Sequence, residues 1–231
     1  MPSSSPGPTL TDLVPAGMFV GTSLILCPPL AERGPQEHFL CGVRAPYTEG
    51  EWWILELTGI GGALEDDDRS PAHGVQREAR EETSCEVRLV PCSETLVVHG
   101  AGLTHSVRLA SEERPAAVVH RHYGTPPHQP WHEVSKGQVC VVVFLAELQG
   151  HPFPVMELPA LIWLTPEQIV ETARRDVSLS DMLGSGALLI ERIPESLPRD
   201  GWARLTDSQE ALVLALADQA LPFYRALWEK R

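Results

Sequence analysis

The sequence predicts an α+β protein. Three observations point there. Apolar runs of strand length recur along the chain, from Gly17–Cys27 early to Gln138–Ala146 late. Two helices with clear start signals interrupt them, one after Ser70-Pro71 and one after Thr165-Pro166. A chain of 231 residues with 43% hydrophobic content can bury one sizeable core.

Residues 1–15 are rich in Pro and Ser and read as a flexible N-terminal arm. Residues 17–27 follow as a strand. This apolar run is too short to span a membrane, and no basic segment precedes it to make a signal peptide. Strands are expected at about 38–44 and 51–58, where Trp52 and Trp53 must face opposite ways. One of the two is then placed to line a pocket while the other packs. Ser70 is a good N-cap and Pro71 suits the first helical position, so residues 71–84 read as helix. Gly74 inside it costs about 1 kcal/mol against Ala, and close helix–sheet packing would explain it. A further strand is expected over 85–99.

Residues 100–136 read as an irregular insertion holding His105, His120, His122, His128 and His132 among prolines. These histidines show no tight zinc-ligand spacing. Plain surface loop and substrate contact, through Arg114, His120, Arg121 and Tyr123, are the readings left open. The apolar strand 138–146 and the strand 160–164 with its Trp163 come next, then a helix capped by Thr165. The domain is expected to end near residue 200. Residues 201–231 read as a C-terminal helix, kinked at Pro222, that docks on the domain or on a second subunit.

A net charge of −13 argues against contact with an extended nucleic acid. It leaves room for a small phosphorylated substrate, because metal ions can supply positive charge. Five cysteines in apolar surroundings, without Cys-x2-Cys spacing, fit buried thiols in a reducing cytoplasm.

The chemistry is concentrated between Gly61 and Cys85. Glu78, Glu81 and Glu82 fall within about 100° of one helix face. Carboxylates so crowded repel one another, and hard oxygen ligands of this kind suit Mg²⁺ or Mn²⁺. Taken alone, the run also describes a solvated, salt-bridged surface helix, with Arg77 and Glu81 as an i,i+4 pair. The glycine turn before it distinguishes the two.

Gly61-Gly62, the acidic loop and Arg77-Glu78-Ala79-Arg80-Glu81-Glu82 resemble the Nudix hydrolase signature, Gly-x5-Glu-x7-Arg-Glu-U-x-Glu-Glu-x-Gly-U, with U aliphatic. The order of flanking elements extends the likeness over about residues 16–175. The resemblance implies an α/β/α sandwich with a mixed β-sheet. It implies hydrolysis of the pyrophosphate bond of a nucleoside diphosphate linked to another group, with Mg²⁺ as cofactor and Mn²⁺ as substitute. By the same resemblance Glu78, Glu81, Glu82 and the Gly61 carbonyl are metal ligands, and Arg77 orients the carboxylates. The general base is a box glutamate, Glu81 or Glu82, or a residue before the late Trp strand. Glu157 is a candidate there, and Glu133 is another. Trp52, Arg114, Arg121 and Tyr123 are candidate substrate contacts. Dimerisation is a family habit.

The sequence departs from the signature in three ways. Gly62 to Arg77 is one residue too long. Counted back from Arg77, the isolated glutamate falls on Arg69; counted forward from Gly62, it falls on Asp68. Ser84-Cys85 replaces the closing Gly-U. In the family the isolated glutamate braces the signature arginine, and Asp68 is the expected substitute, with Asp67 next. An impaired, nucleotide-binding or regulatory module is the alternative reading, supported by Arg69.

Overall fold

A computed structural model describes residues 7–14, 18–28, 38–99, 103–122 and 138–206. The long apolar runs form its middle. Strand β1 (Phe19–Cys27) lies parallel to β9 (Gln138–Gln149), with Phe19 opposite Val139 and Cys27 opposite Glu147. Both strands are nearly all apolar because both faces are covered.

On one side of β1 come β2 (Phe39–Val43), β4 (Trp52–Thr58) and a strand that closes the described chain, β13 (Trp202–Leu205). β13 runs parallel to β4, with Trp202 opposite Ile54. The short β3 (Tyr47–Glu49) forms a hairpin with β4, and β10 (Ala160–Leu164) pairs with β2. On the other side of β9 come β8 (Ala117–His122), β6 (Thr95–His99) and β7 (Leu103–Val107), while β5 (Glu86–Val90) pairs with the end of β9. Parallel and antiparallel pairs share one sheet, so the predicted mixed-sheet α+β class holds.

Strand alternation sorts the core into two faces. Leu24, Leu26, Leu40, Phe144 and Ala146 point to one side, where helix α2 (Pro71–Thr83) buries Ala72, Val75 and Ala79 against them. Cys41, Val43, Leu55 and Leu57 point to the other, under α3 (Pro166–Arg174) and α4 (Leu179–Gly184). The five cysteines are buried. Among the described residues no helix is long and apolar enough to cross a membrane.

Part of the N-terminal arm is docked, and elsewhere the structure departs from expectation in three places. α1 (Leu10–Leu13) is held by the Asp12 carboxylate, which accepts from the Thr9 amide and hydroxyl at 2.7 and 2.8 Å. Its Leu10 and Leu13 rest on the α2-side core. The strand expected over 85–99 is two strands, because Pro91 has no amide to continue the ladder. The insertion is not all irregular: β7 and β8 occupy part of it, and the apolar run Ala116–Val119 is buried between β9 and β6. Residues 202–205 belong to the sheet rather than to a C-terminal helix, since Ala203 and Leu205 complete the α3–α4 core. Residues 207–231, and with them the expected helix and dimer surface, lie outside the described residues.

Candidate active site

The glycine turn is shaped by β1. Residues 60–64 run antiparallel to it: Leu24 donates its amide to the Ile60 carbonyl at 2.8 Å, and Thr22 to Gly62 at 2.8 Å. Gly61 has φ +149°, and a Cβ there would sit 2.2 Å from the Thr22 carbonyl oxygen. A Cβ on Gly62 would sit 2.5 Å from Oε1 of Glu78. The first glycine lets the chain press against β1, and the second lets a helix carboxylate press against the chain.

Ser70 caps α2 by accepting from the His73 amide at 3.2 Å. At the other end Ser84 adopts the left-handed conformation with φ 57°. That is where the signature has glycine, so its backbone requirement is kept by a residue that meets it at a cost.

The three glutamates do not behave alike. Glu82 is buried and accepts the Gly61 amide at 2.8 Å. Burial pushes its carboxyl up to about 8; the Gly61 amide and Arg44 oppose this, and Glu78 and Glu157 add to it. Glu78 lies against Gly62, and burial raises its carboxyl too, with Arg77 opposing. Glu81 is more exposed and pairs with Arg77 at 2.9 Å.

Arg77 is the hub of the loop half. Its Nη2 meets Asp68 Oδ2 at 3.0 Å and its Nε meets Oδ1 at 3.4 Å, a two-pronged pairing. Nη2 also donates to the Ala63 carbonyl at 3.2 Å, while Nη1 reaches Glu78 at 3.0 Å and Glu65 at 3.3 Å. Asp68 further accepts the Glu65 amide at 2.9 Å and faces His73 Nδ1 at 3.1 Å. Its side chain is 1% exposed, and the Arg77 hydrogen bond holds its carboxyl below the usual range.

A turn closed by the Asp68 amide on the Glu65 carbonyl, at 3.1 Å, takes up the extra residue of the loop. Arg69 is exposed, as is Asp67, and it is Asp68 that pairs with Arg77. Gly74 is explained here rather than by helix–sheet packing. A Cβ on it would meet Asp68 Oδ2 at 2.8 Å and Leu64 at 2.9 Å.

The remaining candidates divide. Glu157 is exposed and close enough for its charge to act on Glu82. Its loop is tied to the end of α2, with Phe153 and Val155 donating to the Thr83 and Glu82 carbonyls at 2.9 and 3.1 Å. Arg114 lies close enough for its charge to act on Cys92, in the core on the sheet's other face. Trp52 and Trp53 are both exposed, at 58% and 43%, so neither packs inside as expected. The backbone of Arg121 lies in β8; Tyr123 and Glu133 lie outside the described residues. The rings of His99, His105 and His120 stack in parallel, 5.4 and 4.9 Å apart.

Arg44 and His73 were not singled out from sequence. His73 meets Asp68, close by in the chain; Arg44 reaches the site through a more distant pairing, because its amide bonds the Glu56 carbonyl of β4 at 2.9 Å.

Among the described residues no three His, Cys, Asp or Glu side chains converge as a finished metal cage. The donor set still fits Mg²⁺, which takes one or two carboxylates and completes its shell with water and substrate oxygens. Glu78 and Glu82 converge on the Gly61–Gly62 turn, and both are destabilised as anions by burial.

No family model matches the chain, and no curated protein does. Among solved structures it is similar to a NUDIX hydrolase from Nitrosomonas europaea, at 16% identity and TM-score 0.35, covering 65% of this chain and 59% of that one. An Ap4A hydrolase from C. elegans shows 13% identity and TM-score 0.40, covering 67% and 85%. A MutT protein from Methanosarcina mazei Go1 shows 16% and 0.37, covering 67% and 81%.

Proposed function

We propose that this chain is a metal-dependent pyrophosphohydrolase of the Nudix type. It would hydrolyse the phosphoanhydride of a nucleoside diphosphate linked to another group. The observation that carries this reading is the pair of carboxylates, half-buried Glu78 and buried Glu82, set against the Gly61–Gly62 turn, with Arg77 beside Glu78.

Glu78 and Glu82, with the Gly61 carbonyl, would hold Mg²⁺ or Mn²⁺. The ion would offset phosphate charge and make water a better nucleophile. Arg77 spends its donors on Asp68, Ala63, Glu65, Glu78 and Glu81, which suits a positioning role rather than contact with substrate. Glu81 and Glu157, both exposed at the site's rim, suit proton transfer from attacking water. The substrate is a small nucleotide, with no extended nucleic acid and no membrane involved. Five buried cysteines suit a cytoplasmic location.

The non-hydrolytic alternative drew its support from Arg69. Asp68 pairs with Arg77, and Arg69 is exposed. A panel of nucleoside diphosphate derivatives, assayed with Mg²⁺ and Mn²⁺, tests the choice. The expected result is cation-dependent product release that falls at least about 100-fold in Glu82→Gln. Nucleotide binding without turnover across the panel would favour the binding module.

A further inference from the structure

The α2 side of the sheet is covered unevenly. Over β1 and β9 it carries the helix. Over β3, β4 and β13, register puts a different set of residues on the same side. Gly42 lies opposite Thr58, so Arg44 and Glu56 share that side, and with them Ile54 and Trp52. Tyr47 lies opposite Ile54, and so does Trp202. The face that bears Glu82 at one end therefore continues into Tyr47, Trp52 and Trp202.

Trp52 and Trp202 meet edge to face, with centroids 5.7 Å apart. Tyr47 and Trp52 remain open, at 38% and 58% exposure. From Ile54, beside Trp202, to Thr58 is four strand steps, roughly 13 Å. The glycine turn follows directly. A ligand with its phosphates at Glu78, Glu82 and Arg44 would then reach the tryptophans with a group set apart from its phosphates by a linker.

The polar side chains around the tryptophans are already engaged. Tyr47 donates its hydroxyl to Glu56 at 3.3 Å, and Arg204 pairs with Glu49 at 2.9 Å. Little is left to read the hydrogen-bonding edge of a ring. A face of this kind binds flat rings by stacking, which discriminates weakly between them because every base has a π-face.

We infer that Trp52 and Trp202 form a stacking platform for the substrate's nucleobase, that recognition there tolerates either purine, and that purines are preferred over the smaller pyrimidines. The inference rests on the proposed reaction for its phosphate end. It adds a residue, Trp202, from a strand outside the signature, and commits the occupant to an aromatic heterocycle.

The test uses the full chain with Mg²⁺. Tryptophan fluorescence follows titration by ADP, GDP, CDP and inorganic pyrophosphate, in the wild type, Trp202→Ala, Trp202→Phe and Trp52→Ala. ADP and GDP should bind within a few-fold of each other and more tightly than CDP. Trp202→Ala should weaken ADP and GDP about 10-fold and leave pyrophosphate unchanged, while Trp202→Phe keeps most of the affinity. Equal loss for ADP and pyrophosphate, or no loss for either, overturns the platform. So does absence of nucleotide quenching in the wild type, which would mean that the C-terminal segment or a second copy fills the face. Cation-dependent hydrolysis with KM unmoved by Trp202→Ala would sink the platform and spare the reaction. Trp202-dependent ADP binding with no turnover would do the reverse.

Discussion

Asp68 and Glu82 are two buried carboxylates at opposite ends of one motif, and their surroundings treat them in opposite ways. Asp68 receives two prongs of Arg77, a backbone amide and a histidine, and sits below the usual carboxylate range. Glu82 receives the Gly61 amide, feels two other carboxylates, and sits near 8. A settled charge and an unsettled one teach different things. The first is architecture, because its partners are all in the chain. The second marks where something outside the chain is expected.

Substitution should expose that contrast most strongly. Asp68→Ala leaves Arg77 without its main partner and should cost about 3 kcal/mol, a fall in Tm of roughly 5–10 °C by calorimetry. Glu82→Gln should do the opposite without metal at pH 8.5, raising stability by roughly 2 kcal/mol as it removes a buried charge. If both variants fell alike, the distinction between brace and binding site would be lost.

The pH dependence follows with a definite sign. Glu82 titrates near 4.5 when unfolded and near 8 when folded, so between those values the folded chain holds more protons. Its contribution to stability is present below about 4.5 and declines as pH rises to about 8. Asp68 is depressed, so its contribution is present above 3.8 and is lost as pH falls below it. Metal-free thermal melts from pH 5 to pH 8.5 should therefore show Tm declining in the wild type and a flatter profile in Glu82→Gln. A wild-type Tm that rises across this window would show that Glu82 is not the group in control.

The smallest effect belongs to the end of α2. Ser84 holds φ 57°, a region in which glycine is unstrained. Ser84→Gly should add about 0.5–1 kcal/mol without changing turnover, read by denaturant midpoint and assay together. A loss of stability would mean that the serine side chain contributes something beyond its backbone angle.

How far the sequence reached depended on distance along the chain. α2 was legible because its cap, first proline and carboxylate face are local, and Asp68 because only two residues fit the count. β8 was hidden by the prolines and histidines around Ala116–Val119, and β13 by its apparent continuity with the apolar C-terminal piece. Arg44 reaches the site, and Trp202 the proposed platform, through strand register. Trp202 stands opposite Ile54 across a parallel pair, a relation that periodicity does not encode.

The central claim is that the chain leaves the charge of Glu78 and Glu82 for a divalent cation to complete. Mn²⁺ titration followed by electron paramagnetic resonance, at pH 6.5 and pH 8.5, tests it most directly. The account predicts saturable binding that tightens at the higher pH, as Glu82 gives up its proton, and that is lost in Glu82→Gln. Binding equal at both pH values, or retained in Glu82→Gln, would contradict it.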